Sequence, residues 1–128
     1  MFRVYSIKEK KWMRDNIYLS PYLNDLYTYK RNIFGRKKLK LESIDDYVIH
    51  KNSGLFDKYE SSIYEGDYVK CQVSENKVVI GLVVFAPELA AYIILCDDTN
   101  EWFSLGSEVL EHVQVIGNVF DGYEDTEE

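Results

Sequence analysis

The chain is poor in the residues that hold small proteins together covalently or through metals. Its 128 residues include only two cysteines, two histidines and two prolines. Cys71, Cys96, His50 and His112 show no zinc-ligand spacing, so a thiolate or imidazole metal centre is not expected. Both cysteines lie in apolar, strand-like runs and read as reduced core thiols, although sequence alone leaves a disulfide between them open. No apolar run is long enough to span a membrane. Met1-Phe2-Arg3-Val4 lacks a signal peptide's apolar stretch, so the expected location is the compartment of synthesis, the cytoplasm.

Catalytic signatures are missing as well. There is no Gly-rich phosphate loop, and Leu105-Gly106-Ser107-Glu108-Val109 is not a Gly-x-Ser-x-Gly elbow. Asp45-Asp46, or Asp97-Asp98 with Glu101, could supply carboxylates to a divalent cation. Such a site needs ligands that converge from rigid elements, whereas adjacent residues of a strand point to opposite faces. These acids therefore read as exposed turn residues. Neither histidine has the surroundings of a general base. The expectation is a protein that is not an enzyme and takes no cofactor or metal.

What the chain does have is aromatics and a lopsided charge. Eleven Tyr, six Phe and two Trp favour strands, because flat rings pack well on a pleated surface. With 46% hydrophobic residues the chain can bury an ordinary core, and its length suits one domain. The net charge of −7 conceals a division: residues 1–41 carry +8 and residues 42–128 carry −15. The basic and acidic parts can attract each other, within one fold or between copies, or face different partners.

Periodicity gives the elements. Phe2 to Tyr5 alternates, and Ser6 to Lys11 is a polar turn before Trp12-Met13. Ile17 to Leu19 reads as a short strand. Residues 26–41 read as a hairpin whose tip, near Asn32 to Arg36, is basic. Glu42 to His50 is ambiguous, since Ser43 could cap a short helix while Tyr47-Val48-Ile49 favours a strand. Asn52-Ser53-Gly54 reads as a turn. Residues 67–73 place Val69, Cys71 and Val73 on one face. A loop at Ser74 to Lys77 leads into a strand from Val78 to Phe85, where Gly81 suggests a bend or bulge. Pro87 ends that strand, and Ala90 to Cys96 is another. After a tight turn at residues 97–100 come Glu101 to Leu105, a helical turn capped by Ser107 and running to Leu110, and a last strand at Val113 to Ile116.

Five short strands with one helical turn before the last suit a small SH3-like barrel. The fold expected is mainly β, a single domain over residues 1–120. Residues 1–52 form a basic N-terminal β extension packed on a barrel at 53–120, and residues 121–128 form an acidic flexible tail.

Ser53-Gly54-Leu55-Phe56-Asp57-Lys58 followed by Ile63-Tyr64-Glu65-Gly66-Asp67-Tyr68-Val69 resembles the central signature of the YopX family of phage and prophage proteins. Phe2-Arg3 with Lys11-Trp12-Met13, Gly81 to Phe85, and Val115-Ile116-Gly117-Asn118-Val119-Phe120 agree with it in order and spacing. The chain departs from the family in having Ser53 before Gly54, where threonine is usual. It also has Tyr59-Glu60-Ser61-Ser62 where an Asn-Gly turn and Lys-Glu are usual. The resemblance implies a β-rich fold with an SH3-like barrel, a phage or prophage gene in a bacterial cytoplasm, and no established biochemical activity.

Two groups of residues are candidates for a role. In the signature turn, Gly66 is free to take positive φ and Asp67 can accept backbone N–H bonds, with Ile63 and Val69 as core anchors. Gly117 and Asn118 are expected to do similar work at the end of the last strand. The competing reading is a recognition edge formed by Tyr64, Glu65 and Asp67. The second group is Arg31, Phe34, Arg36, Lys37, Lys38 and Lys40, in a run that has six cations and no acid. This segment is the expected working surface, for a protein partner, host or phage, or for another copy in a homo-oligomer. It could instead contact nucleic acid through phosphates and a stacked ring, which the acidic remainder disfavours. A third reading makes the acidic half a DNA mimic that occupies a host protein's binding site.

Overall fold

Alternating apolar residues and turn-forming punctuation give a protein built almost wholly of strands. The structure is a computed structural model that describes residues 2–14, 17–20, 25–31, 33–96, 99–106 and 108–125. It is mainly β, and among those residues the helical pieces are three short 3-10 turns. None is long and apolar enough to cross a membrane. The chain forms two compact units, Met1–His50 and Lys51–Glu128.

In the first unit, β1 (Phe2–Ser6) and β2 (Lys11–Met13) form a hairpin in which Tyr5 faces Trp12. Ser6 Oγ accepts the Glu9 N–H at 3.1 Å and so holds the polar turn. β1 lies between β2 and β6 (Tyr47–Phe56) in strand order. A separate antiparallel sheet orders β3 (Ile17–Ser20), β4 (Asp25–Arg31) and β5 (Lys37–Glu42). The expected basic-tipped hairpin is the β4–β5 pair, with Tyr29 opposite Leu39 and Arg31 opposite Lys37. The ambiguity at 42–50 resolves into both alternatives, a 3-10 turn at Ile44–Asp46 and then β6. Ser43 precedes that turn but makes no side-chain capping bond. Burial here is sparse. Among the described residues of this unit, Val4 and Leu26 are the buried apolar ones, beside Ser6 and His50.

In the second unit β6 pairs with β7 (Ser62–Tyr64), and a six-stranded sheet follows in the order β11-β10-β9-β8-β12-β13. Its members are β8 (Asp67–Ser74), β9 (Lys77–Ala86), β10 (Ala91–Leu95), β11 (Trp102–Ser104), β12 (Val113–Asn118) and β13 (Gly122–Tyr123). β8 to β11 meander, and a 3-10 turn at Leu110–His112 precedes β12, which returns beside β8. That is the order of five strands, with one helical turn before the last, read from the sequence. The sheet is a curled half-barrel to which β13 adds an edge strand. Val69 and Cys71 are fully buried with Val83, Ile94, Val113 and Ile63, and Cys96 and Leu105 complete the core. Each large aliphatic residue so buried contributes about 1.5–3 kcal/mol.

Four expectations need correction. Asn52-Ser53-Gly54 does not reverse the chain; it is a register shift within β6, where Gly54 has φ +81°. Asn52 Oδ1 accepts the Gly54 N–H and Ser53 Oγ accepts the Leu55 N–H, so local side chains take over the bonds a bulge frees. Gly81 marks no bulge, since Val69 pairs with it in regular register. A Cβ there would sit 2.6 Å from Ile94 Cγ2, so glycine answers a close approach of β10. The helical turn before β12 is at 110–112, later than expected, and Ser107 lies outside the described residues. The acidic tail is held at least to Asp125. Tyr123 packs on Tyr68 at 4.8 Å, and Lys70 Nζ bonds Asp125 at 2.6 Å.

Candidate functional site

The basic segment becomes a three-stranded arm whose register sorts its side chains. Tyr18 faces Tyr27, which faces Leu41, and Tyr29 faces Leu39. These five share one side of the sheet by strand alternation, with the Tyr18 and Tyr29 rings 5.3 Å apart. This side is open to solvent, with Tyr18 46%, Leu39 59% and Leu41 58% exposed. Arg31 and Lys37 are paired at its distal end, and Arg31 Nη1 donates to the Gly35 carbonyl at 3.3 Å. Phe34 and Arg36 are exposed beyond it at the tip, beside the almost fully exposed Ile33. Gly35 takes φ +75° there, which lets the short loop close.

Lys38 and Lys40 alternate to the opposite side of the sheet, with Thr28 and Glu42. Thr28 Oγ1 donates to Glu42 Oε1 at 2.7 Å, and Lys40 Nζ lies 3.9 Å from the same carboxylate. The six predicted residues are thus not one cluster. Arg31 accompanies the aromatic side, Phe34 and Arg36 form the tip, and Lys38 and Lys40 face away, while Lys37 is placed only by its backbone pairing with Arg31.

Residues outside the predicted segment join Lys38 and Lys40. A concavity of about 970 Å³ within the first unit is lined by them together with Lys8, Lys11 and Arg14. Lys8, Lys11 and Arg14 contribute to the charge of +8 over residues 1–41, but their spacing gives no sign that they meet β5. Glu9, Glu42 and Asp46 also line it, and Lys11 pairs with Glu9 at 3.3 Å. At its edge the Tyr47 phenol is pushed up, first by burial and then by Glu42, Glu9 and Asp46.

The signature turn of the second unit is tied to backbone. Gly66 has φ +83°, and Asp67 Oδ2 accepts the Tyr64 N–H at 2.8 Å. Glu65 exchanges two bonds with Lys51: its N–H donates to the Lys51 carbonyl, and its Oε1 accepts the Lys51 N–H. The Gly66 N–H donates to the Val83 carbonyl and its own carbonyl accepts the Val119 N–H. The carboxylates proposed for a recognition edge therefore already bond the protein's own backbone. Asn118 Oδ1 accepts the N–H groups of Phe120 and Asp121. Gly117 differs from the expected turn glycine, because it sits at a register shift against β8 and opposite Tyr123 of β13. A Cβ there would lie 2.0 Å from the Gly122 carbonyl oxygen.

Asp57, part of the quoted signature but given no role there, is 6% exposed and holds three backbone groups. Its Oδ1 accepts the N–H groups of Tyr59 and Ser61, and its Oδ2 accepts that of Val115. An Asp opening a turn with no glycine was the available signal, since Asx side chains close such loops.

Among the described residues no group of three or more His, Cys, Asp or Glu is placed to hold a metal. Asp97 and Asp98 lie outside them. Glu101 bonds Lys77 Nζ at 2.9 Å, which with Thr99 holds its carboxyl below the usual range. Burial, and then the neighbouring Cys96, pushes the Cys71 thiol up.

A crystal structure of protein yopX from Bacillus subtilis is similar to this chain with a TM-score of 0.62 at 13% identity. The match covers 93% of this chain and 91% of that one, and it shows a shared fold. Protein EF1440 from Enterococcus faecalis is similar at 18% identity and a TM-score of 0.48, over 93% of this chain and 92% of that one. No curated protein matches. The sequence model of the YopX protein family matches residues 1–125, so the chain belongs to the YopX family.

Proposed function

We propose that this protein is a non-enzymatic phage or prophage accessory protein of the bacterial cytoplasm that works through protein–protein contacts, self-association among them. The observation that carries the reading is the solvent-open side of the β3–β4–β5 arm. Tyr18, Leu39 and Leu41 are each about half exposed there, next to a cationic tip. Interfaces draw their stability from an apolar centre, with charge at the rim adding selectivity. The net charges of the units, +5 over residues 1–50 and −12 over 51–128, favour contact between unlike units of different copies. The same −12 argues against an extended nucleic-acid contact, because it repels phosphates.

Light scattering tests the reading. A mass above one subunit is expected at moderate salt, weakened when Arg31, Arg36, Lys37 and Lys38 are replaced by Ser. A monomer at tens of micromolar protein and low salt would refute self-association. Sub-micromolar, salt-sensitive binding of nucleic acid, lost on changing Arg36, Lys37 and Lys38 to Glu, would overturn the protein–protein reading.

A further inference from the structure

The second unit is poor in cations. Residues 51–128 hold four lysines, no arginine and one histidine, and carry a net charge of −12. Two of those lysines and the histidine, Lys58, Lys70 and His112, nevertheless line one recess of about 250 Å³. Part of its lining is the side of the six-stranded sheet that faces away from the core. There Lys70 lies opposite Gln114 and Gln72 lies opposite Val78, while Val69 and Cys71 alternate into the core. Lys58 and Tyr59 enter from the loop that Asp57 opens, and Glu111 and His112 from the 3-10 turn before β12. The Lys58 N–H donates to the Val113 carbonyl at 2.9 Å, and the Asp57 carboxylate fastens Tyr59, Ser61 and Val115. The loop is thus pinned to β12 before any ligand arrives.

One anionic group already reaches this recess. Lys70 Nζ bonds the Asp125 carboxylate at 2.6 Å, and Tyr123, two residues earlier, packs on Tyr68. Lys58 Nζ lies 5.1 Å from the centre of the Tyr59 ring, and among the described residues neither Lys58 nor His112 enters an ion pair. Glu111 is the one carboxylate in the lining. The charge of the whole unit opposes anions, but it is screened beyond ~8 Å at physiological salt. A compact ion therefore answers chiefly to the groups that line the recess, whereas an extended polyanion meets the full −12. Two ammonium groups, an imidazole and two side-chain amides offer donors there. The volume lies below the ~300 Å³ at which pockets for drug-sized ligands begin, and suits a small ion.

We propose that this recess binds a small free oxyanion of the phosphate class, held by Lys58, Lys70 and His112, and that Asp125 competes with it for Lys70. The inference uses no residue of the arm and is independent of the protein–protein reading. Asp125 acts as an internal competitor. Binding exchanges its single carboxylate on Lys70 for an ion that bonds several donors at once, and charge-assisted bonds to lysine are the strong ones. Gln72 and Gln114 can turn their amide N–H groups to the same ion.

The test uses the full chain and sodium pyrophosphate, followed by isothermal titration and by amide shifts in NMR spectra at physiological salt. One ion per chain is expected, with shifts at Lys70, Gln72 and Gln114. Lys58→Ala with His112→Ala should weaken binding at least ~tenfold, since two of the three principal donors are lost. Asp125→Asn should tighten it about threefold, the size expected from releasing one exposed ion pair. That gain cannot come from misfolding, so the outcome does not depend on a damaged variant. Shifts confined to residues 1–50, or none at millimolar pyrophosphate, would overturn the site. Unchanged affinity in Asp125→Asn would overturn the competition. Tighter binding of adenosine monophosphate than of pyrophosphate would overturn the assignment to a compact free ion.

Discussion

The two units use the same strands for different ends. The second gathers eight residues into a buried core and seals its turns with carboxylate-to-backbone bonds. The first buries Val4 and Leu26 and leaves Leu39, Leu41, Ile33 and Phe34 in solvent. What packing it has is aromatic and cationic. Trp12 meets Tyr5 edge-on at 5.1 Å, and the Arg3 guanidinium lies 4.5 Å from the centre of its ring. Both units expose large apolar residues, among them Phe56, Tyr59 and Trp102 in the second, so the difference lies in what is buried. It assigns most of the core, and with it most of the stability, to the acidic unit.

The sharpest way to break that contrast is to cut the core and the arm equally. Ile63→Ala removes a fully buried side chain and should lower stability by about 2–5 kcal/mol in urea denaturation. Leu41→Ser on the arm should stay within about 0.5 kcal/mol. Similar losses would mean that the arm is as much a part of the folding core as β7.

Asp57→Ala comes next, because three N–H groups lose their acceptor at a buried site. A loss of about 2–4 kcal/mol is expected, and Asp57→Asn should recover part of it. If Asp57→Ala leaves the midpoint unchanged, the loop from 57 to 61 holds itself without the carboxylate. Gly66→Val should cost roughly 1–3 kcal/mol, since φ +83° strains a β-branched residue. An unmoved midpoint would show that the turn relaxes.

The smallest effect is that of alkaline pH on the core. The Cys71 thiol has a raised folded-state value, so its contribution is full below the ordinary thiol value near ~8.5. That contribution is lost as pH climbs through the folded value. Tyr92, raised by burial and then by Glu65, acts in the same direction at higher pH. Urea midpoints should therefore decline above about pH 9, and Cys71→Val should flatten the first part of the decline. An identical profile for Cys71→Val would remove the thiol from the account.

Much of the fold was legible because its signals are local. Alternation located Val69 and Cys71, and the Tyr27–Tyr29 and Leu39–Leu41 pairs located the arm. The errors came where two strands decide one residue. Gly81 looks like a bulge until β10 is known to press against it, and Asn52-Ser53-Gly54 looks like a reversal until β7 is known to continue the pairing. The concavity of the first unit was illegible for the same reason. Lys8, Arg14 and Lys38 are far apart in sequence, and only the folded chain brings them into one lining.

The bond from the Val115 N–H to Asp57 joins residues 58 apart in sequence, and β12 reaches back to β8 over a comparable distance. Closing so long a loop is entropically slow, whereas β4 and β5 meet across a short tip. During synthesis the arm can therefore form while β8 still waits for its neighbour. In that interval Val69 and Cys71 have no Val115 or Val113 opposite them, and unpaired apolar strands of this kind invite aggregation. The cationic arm would then be finished, like the β1–β2 hairpin before it, while the acidic unit is still open.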